Sequence, residues 1–390
     1  MPVLQLIYAK GHQEILNRQS ALGSYIHCLC GILEKSGWTV YINAISYQEI
    51  AQMPTRVSVV TPSRFGIGKF VPEFLKDILR DRKLRERNSS VLGECLQIKE
   101  KPDLILEFYT YGSSLAKQLA FHFRVPYSLV YDAPVLEEYE FFHGRKWFGR
   151  NKIDRAQKNT VASASAIVVY SESMKKYVTQ LGAKPDRVRI HQNVDYTRFE
   201  FGSPRVYSSQ MCIGFVGSFL KWHRVDLLLE AFSKLRVEGF LCTLKLVGGG
   251  MEFEEVKNKV NTHPFAENIE LSGYLDGKAL ADAKASMHIG VMPGSNWYGA
   301  PNKIFEYGAA GMAVVAPDTP TIRDLFGRTH EVILFKQDDF NELVKALRVL
   351  LKDEKSYQNH CEVLQQRIRS DYSEEKTRQF YASLFELAQS

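Results

Sequence analysis

Short apolar runs alternate with stretches of helical period along most of this chain. In the first half the runs are Val3–Tyr8, Thr39–Ala44, Val57–Val60, Leu104–Phe108, Tyr127–Tyr131 and Ile167–Tyr170, with Val188–His191 near the middle. A second series opens at Met211–Val216 and continues through Thr243–Val247, Ile269–Leu271, His288–Met292, Ala313–Ala316 and Val332–Phe335. Amphipathic stretches such as Leu227–Leu235 and Phe340–Leu351 lie between them. Brief apolar runs separated by helical periods predict βαβ units built on parallel sheets.

The pattern breaks once, in Tyr196–Gln210, which loses periodicity and carries Gly202, Ser203 and Pro204. A length of 390 residues also favours two domains over one. The expected organisation is a first α/β lobe over residues 1–200, a second over 208–371, and a last helix over 372–390. Phe380, Leu384 and Leu387 form the apolar stripe of that helix, which is free to return to the first lobe. In such sheets a ligand sits beyond the carboxyl ends of the strands, so two facing lobes would share a cleft there.

Composition narrows the function classes. With 45% hydrophobic and 24% charged residues the chain is an ordinary globular one. No window approaches the roughly 20 apolar residues of a membrane span. The N-terminal stretch has neither a basic lead nor a small-residue cleavage site, so it is expected to be a strand in a cytoplasmic protein. The cysteines, at positions 28, 30, 95, 212, 242 and 361, form no CxxC pair and have no histidine cluster nearby, which suits free thiols and no bound metal. A net charge of +6 suits an anionic small ligand or an anionic membrane surface. No basic stripe interleaves with stacking aromatics, so nucleic acid is not an expected partner. In the densest charged run, Lys76–Arg87, the acids Asp77, Asp81 and Glu86 predict a solvated helix.

The chemistry concentrates in Met292–Pro317, MPGSNWYGAPNKIFEYGAAGMAVVAP. A strand ends near Met292, a Gly/Ser/Asn loop follows, and Pro301 stands where a helix starts. Helix N-termini present unpaired N–H groups and the positive end of a dipole, a ready site for phosphate. Lys303 adds a full charge beside that anion, and Glu306, on the same face, can accept from a pair of ribose hydroxyls. The plainer alternative is a capped helix with a solvated Lys/Glu pair. The agreement of loop, proline and following strand favours the ligand site.

This segment resembles the donor-site signature of the family 4 retaining glycosyltransferases, in the variant P-x-K-x-x-E-Y-x-A-x-G, filled by Pro301, Lys303, Glu306, Tyr307, Ala309 and Gly311. Gly214–Phe232 resembles the strand, Gly-rich turn and helix that open the nucleotide lobe, with Gly217 and Ser218 in the turn. Leu246–Gly250 resembles the second Gly-rich turn, with Gly248 and Gly249, and Gln192–Asp195 resembles the N-G-V-D element that closes the first lobe. In the first lobe, Gly23 resembles the glycine of a loop beside the donor phosphates. Asp132, with Ala133, Pro134, Glu137 and Glu138, resembles the loop that faces the sugar.

The resemblance implies a GT-B fold, two Rossmann-like lobes facing across a cleft with a C-terminal helix crossing back to the first. It also implies transfer of a sugar from a nucleotide-diphosphate sugar to a saccharide, lipid-linked or small-molecule acceptor, with retention. Catalytic roles fall to Lys303, Glu306 and Asp132. The family more often carries two glutamates separated by seven residues, and here Tyr298 stands at the earlier place. Backbone N–H groups of the stretch Gly299, Ala300, Pro301 and Asn302 are expected to take over some donor contacts. Ser218 stands where relatives carry Arg, and Lys221, His223 and Arg224 compete for a diphosphate contact, with His223 or Lys221 favoured. His223 is equally compatible with a packed loop histidine.

No Asp-x-Asp pair occurs, so the leaving phosphate is expected to be neutralised by Lys303, the helix start and the Gly-rich turns, with no metal. Tyr298 and Ser218 also motivate a non-catalytic alternative, a transferase-like subunit that binds a nucleotide or a partner protein. A sugar-nucleotide epimerase of similar architecture is a third reading. Arg145–Arg150, RKWFGR, is compatible with an acceptor-side lip, with peripheral membrane contact, or with a loop around a packed Trp.

Overall fold

In the computed structural model the described residues are 1–10, 15–18, 20–55, 72–192, 194, 199, 201–327 and 330–390. The chain forms two compact units, Met1–Asp195 with Glu374–Ser390, and Tyr196–Ser373.

In the first unit the strands are β1 (Val3–Tyr8), β2 (Thr39–Ile42), β3 (Ile45–Ser46), β4 (Leu104–Phe108), β5 (Tyr127–Val130), β6 (Ala166–Val169) and β7 (Val188–Ile190). Its helices before the second unit are α1 (Ala21–Lys35), α2 (Tyr47–Gln52), α3 (Glu73–Cys95), α4 (Leu115–Phe123), α5 (Val135–His143), α6 (Arg150–Ala162) and α7 (Glu172–Gln180). Among the described residues the sheet order is β3-β2-β1-β4-β5-β6-β7, parallel except for the β2–β3 pair. The expected run Val57–Val60 lies outside the described residues. β3, two residues long, was not anticipated by the apolar pattern.

The second unit has β8 (Cys212–Val216), β9 (Thr243–Val247), β10 (Ile269–Gly273), β11 (Ile289–Val291), β12 (Ala313–Pro317) and β13 (Val332–Phe335). Its helices are α8 (Val225–Val237), α9 (Phe253–Asn261), α10 (Gly277–Ala285), α11 (Asn302–Ala309), α12 (Pro320–Phe326), α13 (Phe340–Lys352) and α14 (Glu354–Asp371). The sheet is parallel, in the order β10-β9-β8-β11-β12-β13. Helices on both faces exclude water from the central strands, which is why β8, β11 and β12 are nearly continuous in apolar residues. The stretch expected to break the chain is packed where it is described. Arg205 N–H donates to Gly311 O at 2.8 Å, and Tyr207 Oη donates to Leu351 O at 2.7 Å.

The last helix, α15 (Glu374–Gln389), packs on α1 and β6 of the first unit. Its buried stripe is Thr377, Tyr381, Leu384, Phe385 and Ala388, with Phe380 and Leu387 only at the margin. Tyr381 Oη lies 2.8 Å from Tyr25 Oη, and Arg187 donates to Leu387 O at 2.6 Å. His191 stacks on Phe380, and its Nε2 is 3.3 Å from Thr377 Oγ1. Desolvation lowers the His191 pKa to about 4.

One expectation is corrected in α3. Asp77 belongs to no solvated face, because its side chain is fully buried. It accepts from Arg145 at 2.6 Å, from Tyr139 Oη at 2.6 Å and from Phe148 N–H at 2.8 Å. Burial alone would raise its pKa, but these bonds overcome burial and hold the carboxyl below its usual range. Among the described residues no helix is long and apolar enough to cross a membrane.

Candidate functional site

Two Gly-rich turns meet at the carboxyl ends of the neighbouring strands β8 and β9. Gly217 donates to Val247 O at 2.9 Å, Phe219 to Gly249 O at 2.7 Å, and Glu252 to Phe219 O at 3.0 Å. Gly248, with φ at 135°, donates to Gly273 O at 2.7 Å. A Cβ there would collide with the Gly217 carbonyl, and one at Gly250 would strike the Phe219 backbone. Only glycine allows the turns this approach. Among the described residues the N–H groups of Ser218 and Gly249 donate to no protein acceptor. Such paired donors are the raw material of an anion site.

Next to them stands α11. Its signature residues divide by side. Val216 N–H donates to Tyr307 Oη at 2.7 Å, and the Tyr307 ring fills the space that a side chain at Gly290 would need. Gly308 abuts Leu364 and Ile368 of α14, and Gln365 donates to Ala309 O at 2.9 Å. These contacts set the height and rotation of α11, and they leave Lys303 and Glu306 partly exposed.

The Lys303 side chain runs against Gly217, and its Nζ lies 3.1 Å from His223 Nε2 and 5.7 Å from the Phe215 ring centroid. Among the described residues no carboxylate comes within ion-pairing distance of it. Desolvation pushes its pKa down to about 8, against the opposing charge of Glu306. His223 is 8% exposed, with Nδ1 against Ser218 O. Nδ1 therefore carries the hydrogen and donates it, which leaves the Nε2 lone pair to accept from Lys303. Desolvation, then the Lys303 charge, lower the His223 pKa to about 3. The histidine is a neutral rest for the ammonium.

The other basic residues of the turn separate clearly. Arg224 pairs with Asp226 at 3.1 Å and with Asp338. Lys221 is exposed and makes no ion pair among the described residues. In the loop before α11, Pro301 has no N–H and that of Asn302 donates to Ala300 O at 3.0 Å. The N–H groups of Gly299 and Ala300 have no protein acceptor among the described residues. Tyr298 is buried at 6% exposure with its ring against Trp297.

The residues expected to serve the site from the first unit lie as follows. Gly23 is inside the first turn of α1 and not in a loop before it, and its N–H donates to the N-cap Ser20 Oγ at 3.0 Å. Asp132 follows β5, and desolvation, with the Glu138 charge second, raises its pKa to about 7. Gln192 is buried and bonds Tyr170 O. Asn193 and Asp195 lie outside the described residues. Trp147 is packed against Tyr139 and Tyr111.

Three further features escaped the sequence reading. Phe215 faces the Lys303 ammonium. Gly294 lets its loop touch the Trp222 carbonyl and the Arg224 side chain. Glu107, buried at the end of β4, accepts from Ser113 Oγ and from Ala116 N–H at 3.0 Å, and desolvation raises its pKa to about 7. Only Glu107 left a signal, a lone carboxylate inside an apolar run.

Residues 22–194 match Glycosyltransferase Family 4, and residues 210–353 match Glycosyl transferases group 1. With the fold, these matches define the class, a glycosyltransferase of GT-B architecture. One match falls on each unit, and together they support a group 1 glycosyltransferase. No curated protein matches the sequence.

Solved structures share the fold at low identity. Anabaena HepE, in complex with UDP, is 14% identical, with 99% of this chain and 100% of that chain covered at a TM-score of 0.69. Sucrose-phosphate synthase from Thermosynechococcus elongatus is 15% identical, covering 99% and 98% at 0.71. A glycosyltransferase from Rickettsia africae is 12% identical, covering 99% and 98% at 0.65.

Proposed function

We propose that the protein is a hexosyltransferase that moves a sugar from a nucleoside-diphosphate sugar to a saccharide, lipid-linked or small-molecule acceptor, retaining configuration and using no metal. The observation that carries this reading is Lys303. It is a desolvated ammonium without a carboxylate partner among the described residues, set at a helix start beside unused N–H groups of Ser218 and Gly249. A diphosphate satisfies all of these donors at once. HepE structures with UDP and with UDP-glucose make a uridine nucleotide the first donor to try.

In the reaction, the bond between the anomeric carbon and the diphosphate oxygen breaks and its electron pair stays on the phosphate. The acceptor oxygen bonds the anomeric carbon and releases its proton. Donors fixed on the leaving phosphate stabilise charge that grows in the transition state. Glu306 is assigned to the ribose hydroxyls. Asp132, whose carboxyl titrates near neutrality, is the candidate on the acceptor side. Retention rests on the family resemblance of the Pro301–Gly311 signature.

A thermal-shift screen of UDP, GDP, ADP and dTDP tests the site, because a ligand at 100 times its Kd adds about 2.7 kcal/mol of stability. Turnover of the matching sugar donor in excess EDTA tests the chemistry, with activity expected to persist. Activity that vanishes in EDTA and returns with magnesium or manganese would remove the metal-free account. A nucleotide that binds while its sugar donors never turn over would favour the non-catalytic subunit.

A further inference from the structure

The first two turns of α3 are built inside out. Asp77 and Arg80, the polar residues, face the protein and bond Tyr139, Arg145 and Phe148. Phe74, Leu75, Ile78 and Leu79, the apolar residues, face water with exposures of 47%, 40%, 43% and 53%. Helices of water-soluble domains bury the opposite face. Phe148, 55% exposed, extends the patch, since its ring centroid is 5.8 Å from that of Phe74. The Asp77 clamp anchors both segments, so the patch is a fixed surface of the first unit.

The exposed charge left without an ion pair beside it is positive. The carboxylates near the helix tip are engaged, Glu73 by Lys76 at 2.6 Å and by Arg145 at 3.0 Å, and Glu86 by Arg82 at 2.7 Å. Lys83, Arg85 and Lys146 are exposed and make no ion pair among the described residues. At 100° per residue, Arg82 and Arg85 continue the apolar face one and two turns beyond Ile78. The first unit holds 29 Lys and Arg against 22 Asp and Glu, and the second 21 against 22, so the whole positive excess of the chain sits on the unit with the patch.

We propose that this tip, Phe74, Leu75, Ile78, Leu79 and Phe148, docks the first unit on an anionic phospholipid surface. The apolar side chains enter the interface and Lys83, Arg85 and Lys146 meet the headgroups. The same charge disfavours a second copy of the chain as occupant, because pairing two such faces would bring like charges together. Five half-exposed side chains also fall short of the roughly 800 Å² per partner that a stable protein interface buries. Apolar burial plus attraction of bases to acidic lipid is enough for reversible membrane binding.

The test is co-sedimentation of the full chain with phosphatidylcholine vesicles, with and without phosphatidylglycerol. Binding is expected only with phosphatidylglycerol, and it should weaken as salt rises. Ile78→Gln with Leu79→Gln, and separately Lys83→Gln with Arg85→Gln, should each lower partitioning at least about tenfold. Both pairs are surface changes, so the melting temperature and any nucleotide-induced shift should stay as in the parent. That shift also separates failure here from failure of the transferase reading. Absence of vesicle binding, or binding unaltered in both pairs, overturns the proposal. So does light scattering that shows a dimer which the Ile78/Leu79 pair dissolves, since the face would then join two copies.

Discussion

On the proposed function, protonation and catalysis are tied together at Lys303. The protonated form is the one that can hold a leaving diphosphate, and its pKa of about 8 places a falling limb in kcat/KM above that pH. A bound anion favours the charged form, so the limb should move to higher pH in kcat, measured with saturating donor. Lys303→Ala should cut kcat by about two orders of magnitude and change donor affinity less. Loss of affinity alone, with the maximal rate kept, would make Lys303 a uniform binding group. Glu306→Gln should weaken donor binding by about 1.5–3 kcal/mol, read by titration calorimetry against an unchanged melting temperature of the free protein. The place of both residues on one short helix was legible in the sequence, from Pro301, Gly311 and the spacing between them. The state of His223 was not. It depends on the Ser218 carbonyl and on Lys303, and the latter is 80 residues away in sequence.

Elements were legible where the pattern is local. Short runs rich in apolar residues marked strands such as β1, β4, β9 and β13 to the residue, even where Gln5, Glu107 and Lys245 interrupt them, because strands of a parallel sheet between helices are mostly apolar. β3 is too short to carry such a signal. α3 was legible as a helix, yet its orientation was not, because the partners that bury Asp77 lie 62 to 71 residues along the chain. α15 makes a prediction at this scale. His191 beneath it is held neutral, so the unfolded protein binds the extra proton between its ordinary pKa near 6.5 and about 4. Stability from this residue is therefore complete above pH 6.5 and declines as pH falls toward 4, by up to about 3 kcal/mol. Urea unfolding at pH 7 and pH 4.5 should show that loss, and His191→Leu should reduce it. An equal pH dependence in the variant would place the titration elsewhere.

At the scale of the molecule, the restart of the strand series near residue 211 made two lobes legible, and the Gly-rich turns pointed to the second as the one with the candidate anion site. Membership of the last helix could not be read locally, because its stripe of Tyr381, Leu384, Phe385 and Ala388 fits any apolar groove. Removal of residues 374–390 should unfold the first unit while a nucleotide still shifts the melting of the second. A single cooperative loss of both would contradict this. The discontinuity of the first unit also sets an order of events on the ribosome. The second unit, Tyr196–Ser373, is contiguous and can close as soon as it emerges. The first cannot, since Tyr381 and Phe385 belong to its core and are synthesised after the whole of the second. At roughly 5–20 residues per second, its sheet waits on the order of ten to forty seconds with the α15 groove open. During that interval a nascent chain offers holdase chaperones a hydrophobic slot that the finished protein no longer displays.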